Sequence, residues 1–465
     1  MRKSLQLVTL VLLLLVLPSS TLMMAGRPNK PPRVTIDTPA NNSTVYGTIT
    51  ISVTVNDKED RPDPLPDISI DGEDTVTANT YAWDTTAVLD GTHTISAEVT
   101  DSGGLTGSDS VTFTVQNTVS TPSPDIMTSI SWFGFETGNL VAHGLWARCY
   151  KSMLDQMWSL GFNSLRLPFC NEMIHSTKPV SVNQQLGYNY ELDGLTPLEA
   201  FDKIIDYAYL KGFAIILDRH CTNGSNYPEL WYDSAYSDED WINDWKFMAD
   251  RYNSRIWGCD LANEPHGTAT WGDGNLETDW HSAAERCGGE ILNINPNVYI
   301  IVEGIQHYNG DSTWWGGNLM GVKIDPVGLD NVIYSPHVYG PDLYRHQPWF
   351  KDLNFPDNLP DVWDKYWGFI EKENFGRLWI GEFGTDDTGA DTKQGQWYNA
   401  LLNYIDTNEI EFCYWAFNSN EGNRYGILKK RDWSTVDQGA DTAKWNSLKP
   451  YLRGDTSTPI LYADP

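Results

Sequence analysis

The sequence predicts an α/β chain in which a small all-β sandwich precedes a (β/α)8 barrel. Three observations carry this. Residues 31–117 alternate apolar and polar side chains at period two. Beyond residue 128 a phrase of amphipathic helix, glycine and buried apolar strand repeats. A short TVSTPSP segment at 118–124 separates the two textures. Period two marks half-buried antiparallel strands, whereas helix, glycine and buried strand in succession mark parallel βα units. At 465 residues the chain suits two or three domains.

The first 25 residues read as a signal peptide. Arg2 and Lys3 give a basic start, residues 10–17 are unbroken Leu and Val, and small residues follow up to Ala25. The apolar run is short against the roughly 20 residues a membrane span needs. The mature chain is therefore expected to be secreted, extracellular and unattached to a membrane.

In residues 31–117 the alternation is carried by Ile49, Ile51, Val53 and Val55, by Ile95, Ala97 and Val99, and by Val111, Phe113 and Val115. Asp71-Gly72 and Asp90-Gly91 supply turn chemistry. Strands are expected at 33–38, 48–55, 67–70, 81–84, 92–100 and 110–116, a sandwich that resembles the immunoglobulin-like modules appended to many secreted enzymes. Asp57, Glu59, Asp60 and Asp63 cluster in what reads as a solvated loop, with a calcium site as the other reading. A linker is expected at 118–127.

The barrel is expected over 128–454, with a polar tail at 455–465. Tyr150, Met153, Leu154, Met157 and Leu160 share one helical face, closed by Gly161. Thr196-Pro197-Leu198-Glu199 is a capping box with proline at the first helical position, and Gly212 ends that helix. Buried strands are expected at 130–135, 162–168, 213–218, 256–261, 299–303, 332–335, 378–381 and 412–416. A doubly wound open sheet would want a glycine-rich phosphate loop after its first strand, and the sequence has none.

Composition narrows the function. With 62 acidic against 32 basic residues the formal net charge is −30, which repels phosphate backbones and argues against nucleic-acid binding. The 20 Trp and 23 Tyr leave room for a cleft of flat side chains suited to sugar faces. The six Cys show no C-x-x-C zinc spacing.

Barrel enzymes act where the strands end. Here those ends carry Arg166, Asp218 and His220, Asn263 and Glu264, His337 and Tyr339, Glu382, and Trp415. So many polar groups at one mouth cost desolvation and self-repulsion, which points to function rather than stability. Two facing carboxylates are what glycosidic cleavage needs, one protonated and one ionised.

The motifs WFGFET (132–137), HGLW (143–146), LRLPF (165–169), LDRH (217–220), NEPH (263–266), YSPHVYGPD (334–342), IGEFGT (380–385) and YWAFN (414–418) together resemble glycoside hydrolase family 5. The run YNGDSTWWGGNLMG (308–321) is similar to its endoglucanase, or cellulase, branch. The resemblance implies a retaining endo-β-1,4-glucanase with Glu264 as acid/base and Glu382 as nucleophile. It further implies Asn263 on the sugar 2-hydroxyl, Arg166 and Tyr339 positioning Glu382, and His220 and His337 at the cleaved subsite. Trp415 would stack under the sugar, with Trp146 and Trp315 lining neighbouring subsites. A mannanase, xylanase or β-1,3-glucanase stays open as an alternative, as does a non-catalytic carbohydrate-binding protein. The expected partner is a β-glucan, the expected state a monomer, and neither metal nor cofactor is expected.

The sequence departs from relatives at Gly138, where some carry a bridging Cys, and at Phe417 and 419–424, where a second Trp and a Pro-Asp-Ser-Gly-Asp-Thr-Gly loop are usual. A disulfide between Cys170 and Cys221 is expected, since each lies just past a strand end and the two strands should be neighbours about 4.8 Å apart. Cys149, Cys259, Cys287 and Cys413 are expected free and mostly buried.

Overall fold

The computed structural model describes residues 29–85, 88, 91–116, 123–182, 189–224, 226–419, 425–429, 432–434 and 444–454. The signal segment, the first half of the linker, the divergent 420–424 stretch and the polar tail lie outside the described residues. The chain divides into two compact units, with the boundary between Val119 and Ser120.

The first unit holds β1 (Arg33–Thr38), β2 (Thr44–Val45), β3 (Thr48–Asn56), β4 (Asp67–Ile70), β5 (Glu73–Thr77), β6 (Thr80–Asp84), β7 (Gly91–Thr100) and β8 (Thr106–Val115). They form two sheets, β1-β3-β6 and β2-β8-β7-β4-β5. The predicted apolar rows meet between them: Ile51, Val53, Ile95, Ala97, Val99, Val111, Phe113 and Val115 are all buried, with Trp83. β8 starts four residues before its expected edge, because TGSDS at 106–110 has no apolar alternation and is held by pairing along β7, from Thr100↔Thr106 onward. In the expected solvated loop Glu59 is exposed and Asp60 and Asp63 are partly so, and only Asp57 departs from that reading. Asp57 is buried, and its Oδ1 accepts the N–H groups of Glu59 (2.8 Å) and Asp60 (3.0 Å), folding the turn around the side chain.

The second unit runs β9 (Thr128–Ser131), α1 (Tyr150–Ser159), β10 (Ser164–Cys170), α2 (Asn171–His175), α3 (Pro197–Lys211), β11 (Ala214–Cys221), α4 (Asp238–Tyr252), β12 (Gly258–Asp260), α5 (Trp280–Ile294) and β13 (Tyr299–Glu303). A small hairpin, β14 (His307–Tyr308) and β15 (Asp311–Ser312), precedes β16 (Val332–Ser335), α6 (Pro341–Tyr344), α7 (Leu359–Trp363) and α8 (Phe369–Lys372). β17 (Arg377–Phe383), α9 (Lys393–Thr407), β18 (Glu411–Tyr414) and α10 (Lys444–Leu448) complete it. Strands β9, β10, β11, β12, β13, β16, β17 and β18 close into one parallel barrel. Helices follow most strands, as parallel pairing requires a crossover.

Local chemistry explains the boundaries. Thr196 caps α3 through the predicted box: its Oγ1 accepts the Glu199 N–H, and Glu199 Oε2 accepts the Thr196 N–H at 2.8 Å. Gly212, at φ +102°, supplies the left-handed exit. Tyr150, Met153, Leu154 and Met157 bury the predicted face of α1. The first barrel strand ends earlier than expected, at Ser131. Trp132 still donates its N–H to the Arg166 carbonyl at 3.1 Å, and beyond it only an isolated parallel bridge, Phe135 to Phe169, joins the chain to β10.

Inside the barrel the side-chain period of two stacks the interior in tiers. Ala214 and Ile216 on β11, Ile301 on β13, and Ile333, Trp379 and Cys413 form an apolar plug. Two residues further along the same faces stand Asp218 and Glu303, so the plug gives way to charge at the C-terminal ends.

The expected disulfide is not formed. Cys170 and Cys221 are register partners on neighbouring strands, yet both are free and buried, as are the other four Cys. The register shifts between Phe169 and Cys170. The two thiols remain neighbours, and each also meets a loop carbonyl, Cys170 that of Phe135 at 3.4 Å and Cys221 those of Glu136 at 3.2 Å and Asn223 at 3.1 Å.

Candidate active site

Arg166 is the hub of the charged tier. It is fully buried, so its guanidinium needs partners on every side. Nη1 donates to Glu382 Oε1 at 2.6 Å, Nε to Asp260 Oδ2 at 3.0 Å, and Nη2 to Asn263 Oδ1 at 3.1 Å. Nη2 also lies 3.1 Å from Asp218 Oδ2 and 3.5 Å from Glu303 Oε1. The strand ends of β10, β11, β12, β13 and β17 are thereby tied to one cation.

The carboxylates around it fall into two groups. Burial pushes Glu382 up, but the charges of His337, Arg166 and His220 and the Tyr339 hydroxyl outweigh it, and the carboxyl stays below its ordinary range. Tyr339 Oη donates to Glu382 Oε2 at 2.7 Å. Asp218 is likewise held low, against its burial, by Arg166 and His220. Asp260 goes the other way: burial and the neighbouring Glu303 push it well above the carboxylate range, against the pull of Arg166.

Both histidines are shifted toward the charged form. Burial opposes it, but Asp218, 2.7 Å from His220 Nδ1, lifts that imidazole to about 9. Glu303 and Glu382 raise His337 well above its usual value, again against burial. Glu264 faces this group from the loop after β12. Its Oε1 lies 2.9 Å from His337 Nδ1 and accepts the Trp314 indole N–H at 2.7 Å. A carboxylate oxygen of Glu264, one of Glu382 and a ring nitrogen of His337 lie within 4.8 Å of one another.

Above these groups opens a cleft walled by Phe133, Glu136, His143, Tyr227, Trp314 and Trp415. The Trp415 ring runs parallel to those of Phe133 (centroids 5.5 Å apart) and His220 (5.3 Å). His143 is neutral, since burial depresses it to about 4. Burial pushes Glu136 to about 7, against the pull of His220.

Of the residues singled out in the sequence, Arg166, His220, Asn263, Glu264, His337, Tyr339, Glu382 and Trp415 come together here. Trp146 and Trp315 stand one layer out. Trp146 packs edge-on against His143 and Trp433, and Trp315 lies flat on His266, with centroids 3.8 Å apart, beside Trp314. Sequence reasoning missed Trp314, Glu303, Asp260 and Glu136. Glu303 and Asp260 end their strands, the very signal that found Glu382. Trp314 was passed over for its neighbour, and nothing in the sequence ranks one above the other.

An eight-stranded parallel barrel with opposed carboxylates across its C-terminal mouth is the arrangement a glycoside hydrolase needs. Residues 123–421 match the cellulase family, glycosyl hydrolase family 5, and the chain belongs to it. Residues 32–97 match a bacterial Ig domain. An endoglucanase of Paenibacillus polymyxa is 45% identical over 341 residues, covering 71% of this chain and 83% of the relative. The major extracellular endoglucanase of Xanthomonas campestris pv. campestris is 41% identical over 319 residues, covering 66% of this chain and 65% of the relative. An endocellulase from Pyrococcus horikoshii, solved in complex with cellotetraose, superposes with a TM-score of 0.65 at 37% identity, covering 77% of this chain and 96% of that one.

Proposed function

We propose that the protein is a secreted endo-β-1,4-glucanase that hydrolyses internal bonds of cellulose and related β-glucans with retention of anomeric configuration. The observation that carries this reading is the opposite wiring of Glu264 and Glu382. Glu382 receives hydrogen bonds on both oxygens, from Arg166 and Tyr339, and is held ionised. Glu264 receives both of its bonds on Oε1, from Trp314 and His337, which leaves Oε2 to carry a transferable proton. Oxygens within 4.8 Å of each other suit the roughly 5–5.5 Å separation of retaining carboxyls better than the roughly 6.5–9.5 Å of inverting ones.

In the first step a Glu382 oxygen attacks the anomeric carbon while the glycosidic bond breaks and the Glu264 proton moves to the leaving oxygen. The product is a glycosyl ester on Glu382. In the second, Glu264 takes a proton from water, the hydroxide bonds to the anomeric carbon, and Glu382 leaves as carboxylate. Arg166 occupies the Asn263 carbonyl oxygen, which turns the amide NH2 outward as a donor for the sugar 2-hydroxyl. Trp415 offers a flat face to the ring above the nucleophile.

The relatives named endoglucanase and endocellulase support β-1,4-glucan as substrate, and the extracellular one supports secretion. No helix among the described residues is long and apolar enough to cross a membrane. The test is NMR of the first-formed product from cello-oligosaccharide, with reducing-sugar release across carboxymethylcellulose, glucomannan and xylan. An inverted product overturns the two-step scheme, and turnover confined to mannan or xylan overturns the substrate.

A further inference from the structure

We propose that Glu303 is a positioning residue for proton transfer, fixing both the main chain and the side chain of Glu264; this rests on reading Glu264 as the acid/base.

Glu264 stands beyond the end of β12, where no strand pairing holds it, and its φ is +53°, a left-handed value that a residue with a side chain rarely adopts. Something must keep it there. Its N–H is received by Glu303 Oε2 at 2.7 Å. The other oxygen of the same carboxylate lies 3.1 Å from His337 Nε2, a charge contact off the hydrogen-bond axis, while His337 Nδ1 meets Glu264 Oε1 at 2.9 Å. One carboxylate thus sets the backbone of Glu264 directly and its carboxyl through the imidazole.

Glu303 is itself well anchored. It is fully buried at the last position of β13, and its carbonyl accepts the Trp280 indole N–H at 2.8 Å. Its Oε1 also accepts from Arg166 Nη2 at 3.5 Å, and that guanidinium bonds the nucleophile Glu382. Gly316 makes space for the arrangement: a Cβ there would fall 2.5 Å from Glu303 Oε2. Glu303 touches no cleft surface, so it acts through Glu264 and His337 rather than on the sugar.

A residue that aims the acid matters in proportion to how much the leaving group needs a proton. The test is kcat/KM for Glu303→Gln and Glu303→Asp on aryl β-cellobiosides, from dinitrophenyl, which leaves unaided, to phenyl, which needs protonation. The Gln variant keeps the shape without the charge, and the Asp variant keeps the charge without the reach. Each is expected to lose about a hundredfold on phenyl cellobioside, the scale of a misplacement near 1 Å, and to stay close to wild type on the dinitrophenyl substrate. Equal losses on both substrates, or none on either, overturn the proposal. If the Gln variant does not fold, the Asp variant must show the same pattern. Glu264→Gln runs alongside. If it too lacks leaving-group dependence, the acid/base reading falls and this inference with it. If it shows the dependence and the Glu303 variants do not, only the positioning role falls.

Discussion

Replacing Glu136 by Gln should change how stability depends on pH. The side chain is buried, with Oε2 accepting the Gly134 N–H at 2.7 Å, and desolvation raises its carboxyl from the usual 4.5 to about 7. The unfolded chain releases this proton near 4.5, so the folded state holds it more tightly. The stability this confers is fully present below pH 4.5 and is lost as pH rises to about 7. At about 1.4 kcal/mol for each tenfold in proton affinity, the loss comes to about 3 kcal/mol. Gln cannot ionise and keeps an acceptor for Gly134, so the variant should escape that loss. The assay is urea unfolding of both proteins at pH 4.5 and pH 8, followed by tryptophan fluorescence. Trp83 is the one Trp within residues 31–117, so the signal reports the barrel. Any fixed cost of the substitution cancels in the comparison. The variant should gain about 3 kcal/mol on wild type between the two pH values. A stability gap equal at both would show that Glu136 holds no proton toward neutrality.

Two further predictions concern Glu382. Glu382→Gln should lower turnover of cello-oligosaccharides by roughly 10⁴-fold or more while calorimetry finds their binding kept, because the aromatic walls are untouched; turnover within tenfold of wild type would exclude Glu382 as nucleophile. Tyr339→Phe removes a hydrogen bond that helps hold Glu382 ionised. The Glu382 carboxyl should then titrate higher, moving the acid limb of the pH–kcat/KM profile up by about one to two pH units, and an unmoved acid limb would refute that role.

The sequence was legible where one local signal dominated. Tyr299–Glu303 and Val332–Ser335 match their expected bounds because each is an apolar run broken by a polar group. The box at Thr196 needs only four residues to act. The first barrel strand was misplaced because Trp132 and Phe135 are as buried as any strand residue yet serve the mouth, and apolarity alone does not separate the two. Strand-end placement found both carboxylates of the pair. It did not single out Trp314 from Trp315, since the turn that aims one indole at Glu264 is a tertiary outcome. For Cys170 and Cys221 the adjacency was right and the bond was not: register brings the residues together, and both stay free thiols that also meet the carbonyls at 135 and 136.

The closed barrel has a seam, and the seam governs when the protein can finish folding. β9 pairs with β18 through Phe412↔Thr128, Cys413↔Ser129 and Tyr414↔Ile130, and the Met127 N–H reaches Glu411 Oε1 at 2.8 Å. The first barrel strand therefore waits on the ribosome for a partner made almost last. Until Tyr414 emerges, the growing sheet has open edges that invite pairing with other chains. The sandwich has all its strands once Val115 is made, and it is free to fold early. Substitutions near the seam should accordingly be felt first in the yield of soluble protein, before any change in the catalytic constants of the molecules that do close.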